Sequence, residues 1–465
     1  MQGTYHLVRK HNTKLKKLIH IVFIFSLVLG IGGRLYGSYV NTESNDDHVE
    51  VVLRILDHQS IAKDSCWECF QPPLFYQMNA KVANLLGNQG RSSITRQLQF
   101  ENTVFTLLSL YFLFLLLKHQ RIKPDITKLS LSFWLVNPAL FGMSFQATND
   151  IVIVFLASAA TYYLVRYISL RQVHYMIYVL LLLGLAPHIK GSGIALFGIL
   201  GLLSIIIILV LKKHRYLLIL VGGISYLLLF QSHYTENARI YDNPFVINQP
   251  KLGKPPLFDD GQEFWKRPGI TSVWSGYFKL QSKSLIDTPY NINSGDIYPK
   301  HRTSFWAQIY GSFYFSQFLA HPITWVTHHP DVLNVVRVTF VIGLLPILFI
   351  LWGGFQTLRD MLTKTLRKQY KNENWNQLIH LCMAGGFLFF TLKYSYDYRD
   401  FGCIKAIFIL PAFLSLNHFL TVFLTHLDRK KLARFTTTRV IVVVILCSAT
   451  NIFLLKQLTT FYFTQ

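Results

Sequence analysis

Asp46 and Asp47 stand side by side where a long apolar run first gives way to polar sequence, and His48, Glu50, Arg54 and Asp57 follow at near-helical spacing. Adjacent carboxylates in that position have two readings. Aspartate at a helix N-terminus satisfies free backbone N–H groups and is favoured by the helix dipole. A carboxylate sheltered at a bilayer surface beneath a large loop can instead act as a general base toward a substrate hydroxyl. Glu50 and Arg54 form an i,i+4 pair that supports a short surface helix in either case. The stretch closes on Glu68-Cys69-Phe70-Gln71-Pro72-Pro73-Leu74-Phe75-Tyr76, and its two prolines suit a rigid turn that starts a further interfacial helix.

Other reactive groups fall at similar junctions. Asp150 follows Asn149 in the short polar break Gln146-Ala147-Thr148-Asn149 and opens an apolar run, again as an N-cap or as a second acid–base group. A carboxylate there, beside the first pair, also admits a divalent metal, although no metal ligand is assigned. Lys190 interrupts apolar sequence in Pro187-His188-Ile189-Lys190-Gly191-Ser192-Gly193. A charge at such a depth is costly and marks a functional candidate, the plain alternative being a lysine that snorkels to the interface. Arg399 and Lys405 flank two late apolar runs, and cations gathered near carboxylates suit a ligand with a phosphate head and a lipid tail. His301 and Arg302 open Lys300–Tyr310, a mixture of basic, hydroxyl and aromatic groups that suits either a sugar-stacking wall or an interface belt. His328 and His329 are weak metal candidates without a fixed acidic partner. Cys66 and Cys69, in Cys-Trp-Glu-Cys, lack both the context of a redox motif and a second zinc pair, which leaves a local disulfide or two inert thiols. Cys382, Cys403 and Cys447 read as packing.

The elements that must position these groups are membrane helices. Over 465 residues the chain is 51% hydrophobic and only 15% charged, and its apolar residues fall in runs, as a bilayer requires of spanning segments. An uncleaved first helix covers about residues 18–40, after a basic flank containing Arg9, Lys10, Lys14, Lys16 and Lys17. Further runs lie at 102–117, 129–145, 150–166, 174–190, 193–211, 216–232, 331–352, 377–393, 404–425 and 440–456, which makes eleven expected spans. The net charge of +22 concentrates in alternate loops, among them Lys118–Lys128, Lys212–Arg215, Arg359–Lys371 and Arg429–Arg439. By the positive-inside rule these loops are cytoplasmic, so the N-terminus lies inside and the C-terminus outside. Nucleic acid is excluded as the reason for the charge, because no basic–aromatic binding module is present.

The expected architecture is therefore an all-α polytopic membrane protein. Its divisions are a transmembrane module over 1–232 with interfacial helices in a first outer loop at 41–100, a large outer cap loop at 233–330, and C-terminal transmembrane helices at 331–465. Both loops are too long for plain connectors, and both fall on the outer face.

In order, the acidic motif after the first span, Gln71-Pro72-Pro73-Leu74-Phe75-Tyr76, Asn149-Asp150, Lys190-Gly191-Ser192-Gly193 and Lys405…Leu410-Pro411 make the chain resemble the GT-C class of membrane glycosyltransferases. It is most similar to the protein O-mannosyltransferases and the aminoarabinose lipid A transferases. The resemblance spans residues 1–425. It implies a donor sugar on a polyprenyl phosphate, a glycan, lipid or protein acceptor, and inverting transfer on the non-cytoplasmic face. It further implies that Asp47, or Asp46, is the general base and that Asp150 is the second acidic position. The binding candidates are then His48, Gln71, Lys190, His301, Arg302, Arg399 and Lys405, with Lys190, Arg399 and Lys405 toward the lipid phosphate. The family more often has Asp-Glu where this chain has Asp46-Asp47. Lipid A-type members bind a metal near the proline motif, but Glu68 is displaced from the position such a ligand would take. The implied location is a bacterial inner membrane with the site facing outward. A polysaccharide ligase or polymerase would share the large loop but gives the early aspartates and the Pro-Pro motif no role. A transporter or flippase requires mid-bilayer charges and repeat symmetry, whereas these runs are largely clean.

Overall fold

In a computed structural model, the described residues are 2–42, 47–58, 66, 68–212, 214–229, 232–242, 244, 275–280, 282, 304–315, 330–367, 372–398, 405–428 and 433–464. Asp46, His301, Arg302, Arg399, Cys403 and the His328-His329 pair lie outside them. All regular secondary structure among the described residues is helical. The first half comprises α1 (Gln2–Val40), α2 (His48–Leu56), α3 (Leu74–Leu86), α4 (Arg91–His119), α5 (Pro124–Leu135), α6 (Pro138–Met143), α7 (Asp150–Leu170), α8 (Val173–Ile189) and α9 (Gly193–Leu211). Then come α10 (Leu217–Leu229), α11 (Ser232–Tyr241), α12 (Ser275–Phe278), α13 (Phe305–Tyr314), α14 (Pro330–Leu366) and α15 (Asn372–Tyr398). Two 3-10 turns, Ala406–Phe408 and Leu410–Ala412, lead into α16 (Phe413–Asp428), and α17 (Ala433–Thr464) ends the fold.

Eight of these helices are long and apolar enough to cross a membrane, carried by α1, α4, α7, α9, α14, α15, α16 and α17. The other three expected spans are shorter. The runs at 174–190 and 216–232 form helices of 17 and 13 residues. The run at 129–145 is split by Asn137-Pro138 into α5 and α6. Asn137 Oδ1 accepts the Leu140 N–H at 3.1 Å, and Pro138 takes the first helical position, where a missing N–H costs nothing. The carbonyls freed at the end of α5 are taken up from other helices. Arg34 Nη1 donates to Leu135 O at 2.6 Å, and Asn451 Nδ2 donates to Val136 O at 2.9 Å. Arg34 is fully buried within α1 and lies over the Phe141 ring, so one span is less clean than its sequence suggested.

α7 is the central helix of the bundle. In its most apolar window 83% of residues are buried, against at most 61% in any other span. α2 and α3 lie across this end. α2 buries His48, Val49, Val51 and Val52, and Arg54 holds Glu50 at 3.0 Å as its spacing predicts. α3 starts directly after Pro73 and leaves Met78, Val82, Leu85 and Leu86 exposed along one stripe, the pattern of an interfacial helix.

Candidate active site

The site is assembled where α1, α6 and α8 end and α7 begins, beside the middle of α4, and the chemistry starts from free carbonyls. α6 stops at Met143, so residues 144–148 have no helical partners for their backbone oxygens. Side chains of α4 and of the segment after α1 supply the donors. Thr103 Oγ1 donates to Ser144 O at 3.0 Å, and Asn41 Nδ2 to Phe145 O at 2.9 Å. Asn102 Nδ2 donates to both Gln146 O and Thr148 O, at 2.6 Å each. The short loop before Asp150 is thereby fixed to the bundle.

The end of α8 is satisfied in the same way. Pro187 interrupts the helix, and its carbonyl accepts from Tyr234 Oη at 2.6 Å, while Ile189 O accepts from Asn149 Nδ2 at 3.3 Å. Burial pushes the Tyr234 phenol above its ordinary pKa, so it stays protonated and donates across the neutral range. Gly193 lets α9 turn back tightly. A Cβ at that position would sit 2.0 Å from the Ala186 carbonyl oxygen, so no larger residue fits without moving the backbone.

Between these two fixed ends lies a half-buried ion pair. Lys190 Nζ is 3.0 Å from Asp150 Oδ2 and donates to Asn149 Oδ1 at 2.9 Å. Thr148 Oγ1 donates to the same Asp150 oxygen at 2.9 Å. The Lys190 and Asp150 side chains are only 11% and 18% exposed, which rules out a snorkelling lysine in water. Gln71 reaches the same turn, its Oε1 accepting from the Gly191 N–H at 3.5 Å.

α2 and the Cys66–Cys69 turn close the cluster from the other side. The His48 ring is buried, with Nδ1 2.9 Å from Tyr76 Oη and 3.9 Å from Glu68 Oε2, and lies within electrostatic reach of Asp150. Cys66 and Cys69 are joined in a disulfide, the first of the two states expected for them. Asp47 takes the N-cap position of α2, but its side chain makes no capping hydrogen bond. Among the described residues no three His, Cys, Asp or Glu side chains are grouped to hold a metal ion. Among the described residues His48 and Glu68 supply two ligand types here, fewer than a divalent site needs.

Of the sequence candidates, His48, Gln71, Asp150 and Lys190 thus fall in one connected region, and Asp47 directly precedes His48 at the head of α2. Lys405 is half-buried at the start of the first 3-10 turn, where the next residue's N–H donates to Ser312 Oγ of α13 at 2.8 Å. Past it opens an apolar cavity of about 470 Å³, lined by Trp306, Tyr310 and Phe313 of α13, Ala406 and Leu410 of the 3-10 turns, and helices α14 to α16. Sequence reasoning passed over Asn102, Thr148, Asn149 and Tyr76 as individual actors. Uncharged polar residues have too many ordinary uses for type alone to single them out.

Residues 71–233, which include Gln71, Asp150 and Lys190, match the family of dolichyl-phosphate-mannose-protein mannosyltransferases. The chain resembles the GT-C membrane glycosyltransferases. Among solved structures it is similar to the apo crystal structure of the Archaeoglobus fulgidus oligosaccharyltransferase, with a TM-score of 0.45 and 14% identity over 94% of this chain and 55% of that one. The same enzyme in complex with zinc and sulfate gives a TM-score of 0.45 and 12% identity over 92% and 53%. The chain spans about half the length of that enzyme. No curated protein sequence matches it. The eight apolar helices point to a multi-pass membrane protein.

Proposed function

We propose that this protein is an inverting glycosyltransferase that moves a sugar from a polyprenyl-phosphate donor to an acceptor hydroxyl on the non-cytoplasmic face. The observation that supports this reading is the grouping of His48, Gln71 and the half-buried Asp150–Lys190 pair, with Asp47 directly before His48 at the head of α2. The family matched by residues 71–233 is described by a dolichyl-phosphate-mannose donor, which is a polyprenyl-type phosphate sugar.

In the reaction, Asp47 removes the acceptor proton as the acceptor oxygen forms its bond to the anomeric carbon. The bond from that carbon to the phosphate oxygen breaks on the opposite face, and the polyprenyl phosphate leaves with the electron pair. Lys190, held in place by Asp150 and Asn149, offers a fixed ammonium to the departing charge. Preorganised charge of this kind stabilises a transition state without reorganisation cost. Arg399 and Lys405 are the further cations proposed for the phosphate. The apolar cavity beside Lys405 has the size and lining for several isoprene units, which supports a lipid-linked donor. His301 and Arg302 are the proposed contacts to the sugar or acceptor.

The test is substitution of the proposed base in purified protein reconstituted with polyprenyl-phosphate sugars. Asp47→Asn should lower transfer by at least about 100-fold, the range of general-base catalysis, while the protein stays folded and inserted. Near-normal transfer by both Asp47→Asn and Asp46→Asn would remove the carboxylate base from the account.

A further inference from the structure

We infer that Thr148 is a positioning residue for Asp150, with Asn102 locking the loop on which both stand, so that Asp150 Oδ1 is kept as the acceptor for a substrate hydroxyl. This rests on the glycosyl-transfer reading above and adds the group that gives its second carboxylate a direction.

The two oxygens of Asp150 have different surroundings. Oδ2 receives the Thr148 hydroxyl at 2.9 Å and the Lys190 ammonium at 3.0 Å. Oδ1 receives no hydrogen bond among the described residues, and it is not one of the buried polar atoms left without a partner. Asp150 is half-buried, not sealed, so a ligand entering the cluster meets Oδ1.

Lys190 alone cannot create that difference. The last torsion of an aspartate is broad and roughly two-fold, so the carboxylate turns easily. An ammonium on a flexible stem is close to a point charge and can follow either oxygen. A hydroxyl on a stiff, β-branched side chain is directional. Thr148 is bound to Asp150 twice, since its Oγ1 donates to Oδ2 and also accepts the Asp150 backbone N–H at 3.3 Å.

Thr148 has a fixed origin for that direction. Its carbonyl accepts one hydrogen of the Asn102 amide, and Gln146 O accepts the other, both at 2.6 Å. Asn102 is fully buried in the middle of α4 and both carbonyls belong to the loop, so the loop is clamped on either side of Ala147. The chain of support thus runs from a transmembrane helix, through one amide and one hydroxyl, to one oxygen of a carboxylate.

The test compares Thr148→Val, which keeps shape and loses the hydroxyl, with Thr148→Ser, which keeps the hydroxyl. With the reconstituted protein and polyprenyl-phosphate sugar, Thr148→Val should lower kcat about 10- to 100-fold, as expected for losing a hydrogen bond to a charged group. Its donor KM should stay within about twofold, and Thr148→Ser should recover most of kcat, because the misdirected oxygen matters in the reacting complex. The second readout needs no donor. Acetylation of Lys190 by an N-hydroxysuccinimide ester, followed by peptide mass spectrometry, should rise severalfold in Thr148→Val and stay at the parental level in Thr148→Ser, because a turning carboxylate loosens its lysine. Equal behaviour of the two variants in kcat and labelling, tracking only their thermal stability, would overturn the positioning role. Failure of the parental protein to use any donor would instead overturn the glycosyl-transfer reading, and the labelling contrast would still decide the geometry.

Discussion

Replacing Lys190 with methionine keeps the length of the side chain and removes its charge, leaving Asp150 at the head of the most buried of the candidate spans without its cation. Breaking a buried ion pair from one side costs about 3–5 kcal/mol, because the remaining charge is desolvated and uncompensated. Asp150 keeps the Thr148 hydroxyl and some access to solvent, which places Lys190→Met at the lower end, about 3 kcal/mol. Asp150→Asn should cost less, about 2 kcal/mol, since Asn149 Oδ1 still holds the ammonium and an amide oxygen can replace one carboxylate oxygen. The double variant has no buried charge left and should lose only about 2 kcal/mol, so the cycle departs from additivity by about 3 kcal/mol. Equilibrium unfolding of all four proteins in mixed detergent micelles, followed by tryptophan fluorescence, measures it. Additive losses would show that the pair is effectively solvated and would remove the electrostatic basis of the site.

Two further outcomes follow from the neighbouring geometry. Gly193→Ala places a methyl group against the Ala186 carbonyl and should destabilise the protein by about 2–3 kcal/mol, read as reduced thermal stability and yield in detergent. Tyr234→Phe removes the donor to Pro187 O and should cost about 1 kcal/mol in the same unfolding assay, with a larger relative loss of transfer if the turn before Lys190 shifts.

The sequence made the bundle legible because apolar length is a strong physical signal. It also placed α2, its Glu50–Arg54 pair and the start of α3 correctly, because i,i+4 spacing and a proline turn before a helix are local rules. The α5–α6 break was less visible, since hydropathy ignores it, although Asn137-Pro138 was the mark of it. Arg34 escaped notice because its partners, Leu135 O and the Phe141 ring, come from distant parts of the chain. Asp150 and Lys190 were assigned separate tasks, as an acid–base group and a phosphate cation. In the structure they hold each other, and that pairing depends on how α7 and α8 pack, which no local pattern records. Thr148 and Asn102 are ordinary by type and become specific only through the carbonyls they meet.

The central claim is transfer from a lipid phosphate sugar. The most direct measurement places the purified protein in liposomes with radiolabelled polyprenyl-phosphate mannose and related sugars and follows label into acceptor together with free polyprenyl phosphate. The account predicts equal amounts of glycosylated acceptor and released polyprenyl phosphate, with inverted anomeric configuration in the product and no turnover by Asp47→Asn. Transfer that proceeds only from a nucleotide sugar or a diphosphate-linked glycan, or with retention of configuration, would contradict it.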